Sequence, residues 1–156
     1  MTIHELTMNR LNGTPESLSV YAGKVVLIVN TASACGYTPQ YQGLEELWQQ
    51  NRERDVVVLG FPSNDFGEQE PGSSEQIATF CETKYNVSFP LFEKVVTKGQ
   101  HASPLYKFLS AWAGEPQWNF HKYLVDRQGK VVKAFPSSTK PTNTELLRSI
   151  EEALAQ

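Results

Sequence analysis

Two short runs, Val25-Val26-Leu27-Ile28-Val29 and Val56-Val57-Val58-Leu59-Gly60, are rich in β-branched residues, apolar on both faces and bounded by turn residues. A strand that is apolar on both faces has to be covered on both, so each reads as a central strand of a layered sheet. Between them Tyr41, Leu44, Leu47 and Trp48 recur at helical spacing, with Thr38 as the expected cap and Pro39 at the first helical position. A strand, a helix and a strand joined this closely imply a right-handed parallel crossover.

The remaining segments extend this plan. Residues 5–20 read as a hairpin, with Asn12-Gly13 supplying the two positive-φ positions of a type I′ turn. Ser73-Ser74-Glu75-Gln76 is a capping box that opens a helix carrying Ile77, Phe80 and Cys81 on one stripe. A further helix is expected over 104–112 with Leu105, Phe108, Leu109 and Trp112 aligned, after a short extended stretch at 88–92. Strands over about 120–126 and 130–135, turning at Asp126-Arg127-Gln128-Gly129, precede a last helix. That helix starts at Thr142–Glu145 and buries Leu146, Leu147, Ile150 and Leu154. The fold class is α/β: a mixed central sheet flanked by helices, with an N-terminal β-hairpin, in a thioredoxin-like arrangement.

At 156 residues, with no repeats and no linker-like tract, the chain is expected to form a single domain, residues 1–156. The net charge of −3, with lysines and arginines scattered, offers little to phosphates and argues against nucleic-acid or anionic-membrane binding. The longest aliphatic stretches fall far below the ~20 residues that cross a bilayer, and MTIHELTMNR lacks the apolar core of a signal peptide. A soluble, unexported, cytoplasmic protein is the expectation. Two cysteines without a CxxC pair or zinc spacing exclude a disulfide framework, and neither a metal nor a cofactor is expected. His4, His101 and His121 form no motif and read as surface or packing residues.

Cys35 follows the first central strand and precedes a helix, where unpaired N–H groups and the helix dipole favour a thiolate. An inert, packed cysteine is the alternative. In an open sheet of this kind, reactive groups gather at the carboxyl ends of the parallel strands. The loop 61–67, which follows the second strand, should therefore face Cys35 across one crevice.

Three stretches now carry a family resemblance: NTASACGYTPQY at 30–41, GFPSNDFGEQEPG at 60–72 and QWNFHKYLVD at 117–126. In this order and at these separations they resemble the signature blocks of the glutathione peroxidase family, and the likeness covers nearly the whole chain. The resemblance implies that Cys35 is the peroxidatic residue, standing where some members carry selenocysteine. It also implies that Gln69, Trp118 and Asn119 complete a catalytic tetrad, and that Cys81 matches the resolving cysteine of thioredoxin-dependent members. Asp65 and Ser63 depart from the usual block, and a charge at Asp65 opposes thiolate formation if it points inward. The insertion that builds oligomer contacts and part of a glutathione site in some relatives is absent before Trp118, which implies a monomer with an open site.

The chemistry accounts for these residue types. A thiolate splits the peroxide O–O bond and negative charge moves from sulfur to the departing oxygen, so fixed N–H donors stabilise it where it develops. For a cysteine in general, lowering the pKa from about 8.5 to about 6 raises the thiolate fraction at pH 7 roughly 30-fold, while a Brønsted slope of ~0.4–0.5 returns roughly 10- to 18-fold in nucleophilicity. The donors therefore have to supply most of the rate.

The resulting sulfenic acid condenses with a second thiol. A disulfide needs Cα atoms within about 7 Å, so the helix around Cys81 is expected to unwind at least partly. The expected substrates are hydrogen peroxide and organic or lipid hydroperoxides, with thioredoxin as reductant. Glutathione as reductant, or a peroxide sensor that relays oxidation to a partner protein, are the alternatives.

Overall fold

The alternation within the two apolar runs is what builds the layers. The structure, a computed structural model, describes residues 1–156. Strand β1 (Thr7–Asn9) pairs antiparallel with β2 (Pro15–Ser17), and β3 (Val25–Thr31) is followed by α1 (Gln40–Asn51) and β4 (Val56–Pro62). Then come α2 (Ser74–Tyr85), α3 (Pro104–Ala113), the pair β5 (Lys122–Val125) and β6 (Val131–Phe135), and α4 (Thr144–Leu154). The main sheet has the order β4-β3-β5-β6, with β3 and β4 parallel and the other neighbours antiparallel.

Successive side chains of a strand point to opposite faces. Val25, Leu27 and Val29 accordingly join Val56 and Val58 in one core with Tyr41, Leu44 and Leu47 of α1, Ile77 and Cys81 of α2, and Leu146 and Ile150 of α4. Val26, Ile28, Val57 and Leu59 enter the other, with Leu105, Tyr106, Phe108 and Leu109 of α3 and with Ile3, Met8, Leu18 and Tyr21 from the N-terminal region. The βαβ crossover, the mixed sheet and the N-terminal hairpin are as the sequence implies.

Several local expectations are corrected. The β1–β2 connection is not a type I′ turn: only Gly13 has a positive φ (+89°), and the Gly13 N–H donates to Arg10 O at 2.8 Å. Asn12 instead uses its side chain, accepting from the Thr14 N–H at 3.0 Å, so a longer loop closes the hairpin. Thr38 does not cap α1, which starts at Gln40 with no side-chain cap. Asn143, rather than Thr142, caps α4, and Leu147 is exposed while Ala153 takes its place in the core. Trp112 lies at the last turn of α3 and is 69% exposed, while Tyr106 fills the buried stripe.

The helices are anchored unequally. Helix α3 buries Leu105, Tyr106, Phe108 and Leu109, whereas α2 buries only Ile77 and Cys81. What defines α2 is its start: Ser73 Oγ accepts from the Gln76 N–H and Gln76 Oε1 accepts from the Ser73 N–H at 2.8 Å, the capping box its sequence announces.

Candidate active site

Cys35 sits at the carboxyl end of β3 but not on the helix terminus itself. Residues 35–41 form successive tight turns, in which the N–H groups of Thr38, Gln40 and Tyr41 donate to the carbonyls of Cys35, Tyr37 and Thr38. The hydroxyl of Thr38, released from capping, accepts from the Cys35 N–H at 2.9 Å and donates to Ala32 O at 2.8 Å. This fixes the cysteine backbone from both sides. The sulfur accepts one hydrogen bond, from the Tyr37 N–H at 3.3 Å, and Cys35 is 8% exposed. A turn amide thus takes the part expected of a helix dipole.

The loop after β4 meets the Cys35 loop directly. Ala34 N–H donates to Gln69 O at 3.1 Å, and Asn119, wholly buried, donates through Nδ2 to Gln69 Oε1 at 2.9 Å and to Phe66 O at 3.2 Å. Trp118 packs on Phe66 with ring centroids 5.8 Å apart, and its carbonyl accepts from Asn30 Nδ2 at 3.0 Å. Gly67 lies between Trp118 and Gln69 with φ +69°, and a Cβ there would stand 3.0 Å from the indole. Gly67 is therefore favoured by its conformation, and a side chain there would have to displace the indole. The loops that carry Cys35, Gln69 and the Trp118-Asn119 pair thus meet one another.

One role is corrected. Asn119 does not offer its amide to the departing oxygen, because both of its N–H groups are occupied by Phe66 O and Gln69 Oε1. By holding Gln69 through its oxygen, Asn119 leaves the Gln69 Nε2 group without a protein partner, and the Trp118 indole is partly exposed. Asn119→Ala is expected to cost about 2 kcal/mol of stability by orphaning two acceptors. It is also expected to slow Cys35 oxidation by ~10- to 100-fold through loss of Gln69's orientation. Urea unfolding and single-turnover oxidation check the two effects.

The Asp65 carboxylate is engaged within its own surroundings: its Oδ2 accepts from Ser63 Oγ at 2.9 Å and from the N–H and hydroxyl of Thr97 at 2.6 and 2.8 Å, which ties the loop to the segment before α3.

Cys81 stands apart from the tetrad, buried on α2 in the same core layer as Cys35, and both cysteines are free thiols. Burial pushes the Cys81 thiol up to about 11; the nearby Tyr41 hydroxyl opposes this shift and the Glu70 carboxylate adds to it.

Sequence reasoning missed Lys122 and His121. Lys122 is fully buried on β5 and donates to Gln40 Oε1 at 2.6 Å, Ser137 O at 3.1 Å and Thr139 O at 2.5 Å, tying the start of α1 to the turn after β6. Burial pulls its pKa down to about 7. His121 is a buried packing residue that, with Tyr37, Trp118 and the 136–138 turn, lines a groove of about 390 Å³. Burial and the adjacent Lys122 charge lower His121 to about 4, so it is neutral at pH 7.

No metal-binding group of His, Cys, Asp and Glu side chains is present, and no helix is long and apolar enough to cross a membrane.

Comparison with known proteins agrees with this geometry. The sequence model of the glutathione peroxidase family matches residues 3–110. Hydroperoxy fatty acid reductase gpx1 of Synechocystis sp. is 52% identical over 164 residues, covering 98% of this chain and 96% of its own. Glutathione peroxidase-like peroxiredoxin gpx1 of Schizosaccharomyces pombe is 46% identical over 147 residues, covering 91% and 93%. The crystal structure of Trgpx in its apo form superposes with a TM-score of 0.82 at 36% identity, covering 100% of this chain and 97% of that one. A thioredoxin-family thiol:disulfide interchange protein from Chlorobium tepidum matches with a TM-score of 0.74 at 14% identity, covering 99% and 96%, which shows the thioredoxin-like fold alone.

Proposed function

The chain belongs to the glutathione peroxidase family and is a thiol peroxidase that reduces hydroperoxides, and we propose that Cys35 is the sulfur that attacks them and Cys81 the thiol that resolves it. The observation that carries this reading is the convergence on the Cys35 loop of Gln69 and Trp118, whose N–H groups have no protein acceptor, with Asn119 orienting Gln69.

In the proposed cycle the Cys35 thiolate, held by the Tyr37 N–H, attacks the terminal oxygen of the peroxide. The O–O bond breaks, Cys35 becomes a sulfenic acid, and the departing oxygen leaves as water or an alcohol, steadied by Gln69 Nε2 and Trp118 Nε1. Cys81 then displaces the sulfenic hydroxyl to give a Cys35–Cys81 disulfide. The open groove at Tyr37, Trp118 and His121 supports access for alkyl and lipid hydroperoxides as well as hydrogen peroxide. The relative named for hydroperoxy fatty acids agrees with that range.

The anchoring of α2 supports the required movement: only Ile77 and Cys81 are fully buried, with Phe80 and Tyr85 half-buried on the same core, against four buried side chains in α3. A helix held in this way opens locally at less cost than α3.

Thioredoxin is the proposed reductant, acting in a reducing compartment such as the cytoplasm on a single-domain monomer. A dithiol completes the second exchange intramolecularly, which glutathione cannot do. In steady-state assays with each reductant, kcat/KM for thioredoxin is expected to exceed that for glutathione by ~100-fold or more. Equal or greater efficiency with glutathione would refute this choice.

A further inference from the structure

One buried charge takes no part in the cycle described so far. Lys122 opens β5 in register with Val29 of β3 and Phe135 of β6, and both of these face the layer that holds α1, α2 and α4. Residues directly opposite in a sheet share a face, so the lysine side chain enters that layer too. It is fully buried. Burying an ammonium is costly, and a well-packed apolar side chain of similar volume fills such a position without that cost. Lys122 therefore needs a reason beyond packing.

Its hydrogen bonds supply one. An ammonium has three N–H donors, and here they meet three acceptors: Gln40 Oε1 at 2.6 Å, Ser137 O at 3.1 Å and Thr139 O at 2.5 Å. Gln40 closes the network by donating through Nε2 to Ser137 O at 2.8 Å. Gln40 is also the first residue of α1, and its backbone N–H donates to Tyr37 O at 2.8 Å. Tyr37 in turn supplies the N–H that reaches the Cys35 sulfur. Tyr37 and Ser137 both line the groove shared with Trp118 and His121. One ammonium thus joins the turn that carries Tyr37, through Gln40, to the turn that follows β6, through two backbone carbonyls.

We infer that Lys122 is a positioning residue for the peroxidatic sulfur: through Gln40 it holds the Tyr37 turn where the Tyr37 N–H meets Cys35 Sγ. This role rests on the reading of Cys35 given above. The turn has few other holds. The Thr38 hydroxyl fixes the backbone of Cys35 but not that of Tyr37, α1 starts without a side-chain cap, and the Tyr37 side chain is 36% exposed. An amide 3.3 Å from the sulfur both favours the thiolate and fixes the direction from which it attacks. A turn free to shift by about an ångström loses both, and misplacement on that scale costs up to ~100-fold in rate.

The test compares wild type, Lys122→Met, Gln40→Met and the double variant at pH 7. Methionine keeps the approximate length of either side chain and removes its link to the other. Amide hydrogen exchange, followed by NMR, reads Tyr37 against Leu47 in the body of α1, and quench-flow mass spectrometry times Cys35 oxidation by hydrogen peroxide. In Lys122→Met the exchange of Tyr37 is expected to rise ~10-fold more than that of Leu47, and oxidation to slow by ~10- to 100-fold. Gln40→Met should show the same pattern with a slowing of ~5-fold or more. The double variant should be no slower than Lys122→Met, because the same path is cut twice. Gln40→Met leaves the lysine its two backbone acceptors, so it carries the test if Lys122→Met does not fold.

Oxidation of Lys122→Met at the wild-type rate overturns the proposal. So does a rise in exchange shared equally by Tyr37 and Leu47, which marks a general loosening of the fold, or a Gln40→Met variant that oxidises as wild type does. A wild type in which peroxide leaves Cys35 unoxidised overturns the reading of Cys35 instead, and this role with it.

Discussion

Cys35→Ser is expected to lose hydroperoxide reduction by ~10⁴-fold or more while keeping its fold. A serine hydroxyl is almost wholly protonated near neutral pH, and its oxygen does not accept the peroxide oxygen as sulfur does. Neither the Tyr37 N–H nor the Gln69 and Trp118 donors can compensate, since they stabilise charge that only a nucleophile sets in motion. The substitution is nearly isosteric, and the Cys35 backbone is held by the Thr38 hydroxyl independently of the sulfur. Circular dichroism should therefore match wild type, and peroxide consumption under reduced thioredoxin measures the loss.

Cys81→Ser is expected to stop after one turnover. Cys35 still reaches the sulfenic acid at close to the normal rate, because Cys81 contacts none of the groups that hold the Cys35 sulfur. Without an internal thiol no disulfide forms, and thioredoxin-supported turnover falls to background. Helix α2 should remain folded in this variant after peroxide. In wild type the same treatment should release it, seen as a loss of helical signal and new cleavage between residues 72 and 90. Limited proteolysis and circular dichroism before and after one equivalent of peroxide report the contrast. Sustained turnover of Cys81→Ser with thioredoxin would show that the resolving thiol lies elsewhere.

Much of this was legible in the chain. The double-faced strands, the Ser73 capping box and the position of Cys35 at a strand's carboxyl end each rest on a local pattern, and the structure retains all three. What the sequence concealed were side chains whose partners are distant. Thr38 reads as a helix cap, but its hydroxyl is drawn to Ala32 and Cys35, and only the folded turn shows the competition. Asn119 reads as a donor to the departing oxygen, whereas its amide is consumed by Phe66 and Gln69, fifty or more positions away. Trp112 fits the apolar stripe of α3, but the stripe leaves the core before the helix ends. Lys122 and Glu70 are charges whose burial no periodicity reveals, since each is enclosed by segments remote in the chain.

The most direct measurement is peptide mapping by mass spectrometry, without reductant, of the reduced protein treated with one equivalent of hydrogen peroxide. The account predicts a loss of two hydrogens and a single cross-link joining the peptides of Cys35 and Cys81. A Cys35 oxidised to sulfinic acid beside an unmodified Cys81, or a protein in which neither thiol reacts, would contradict it.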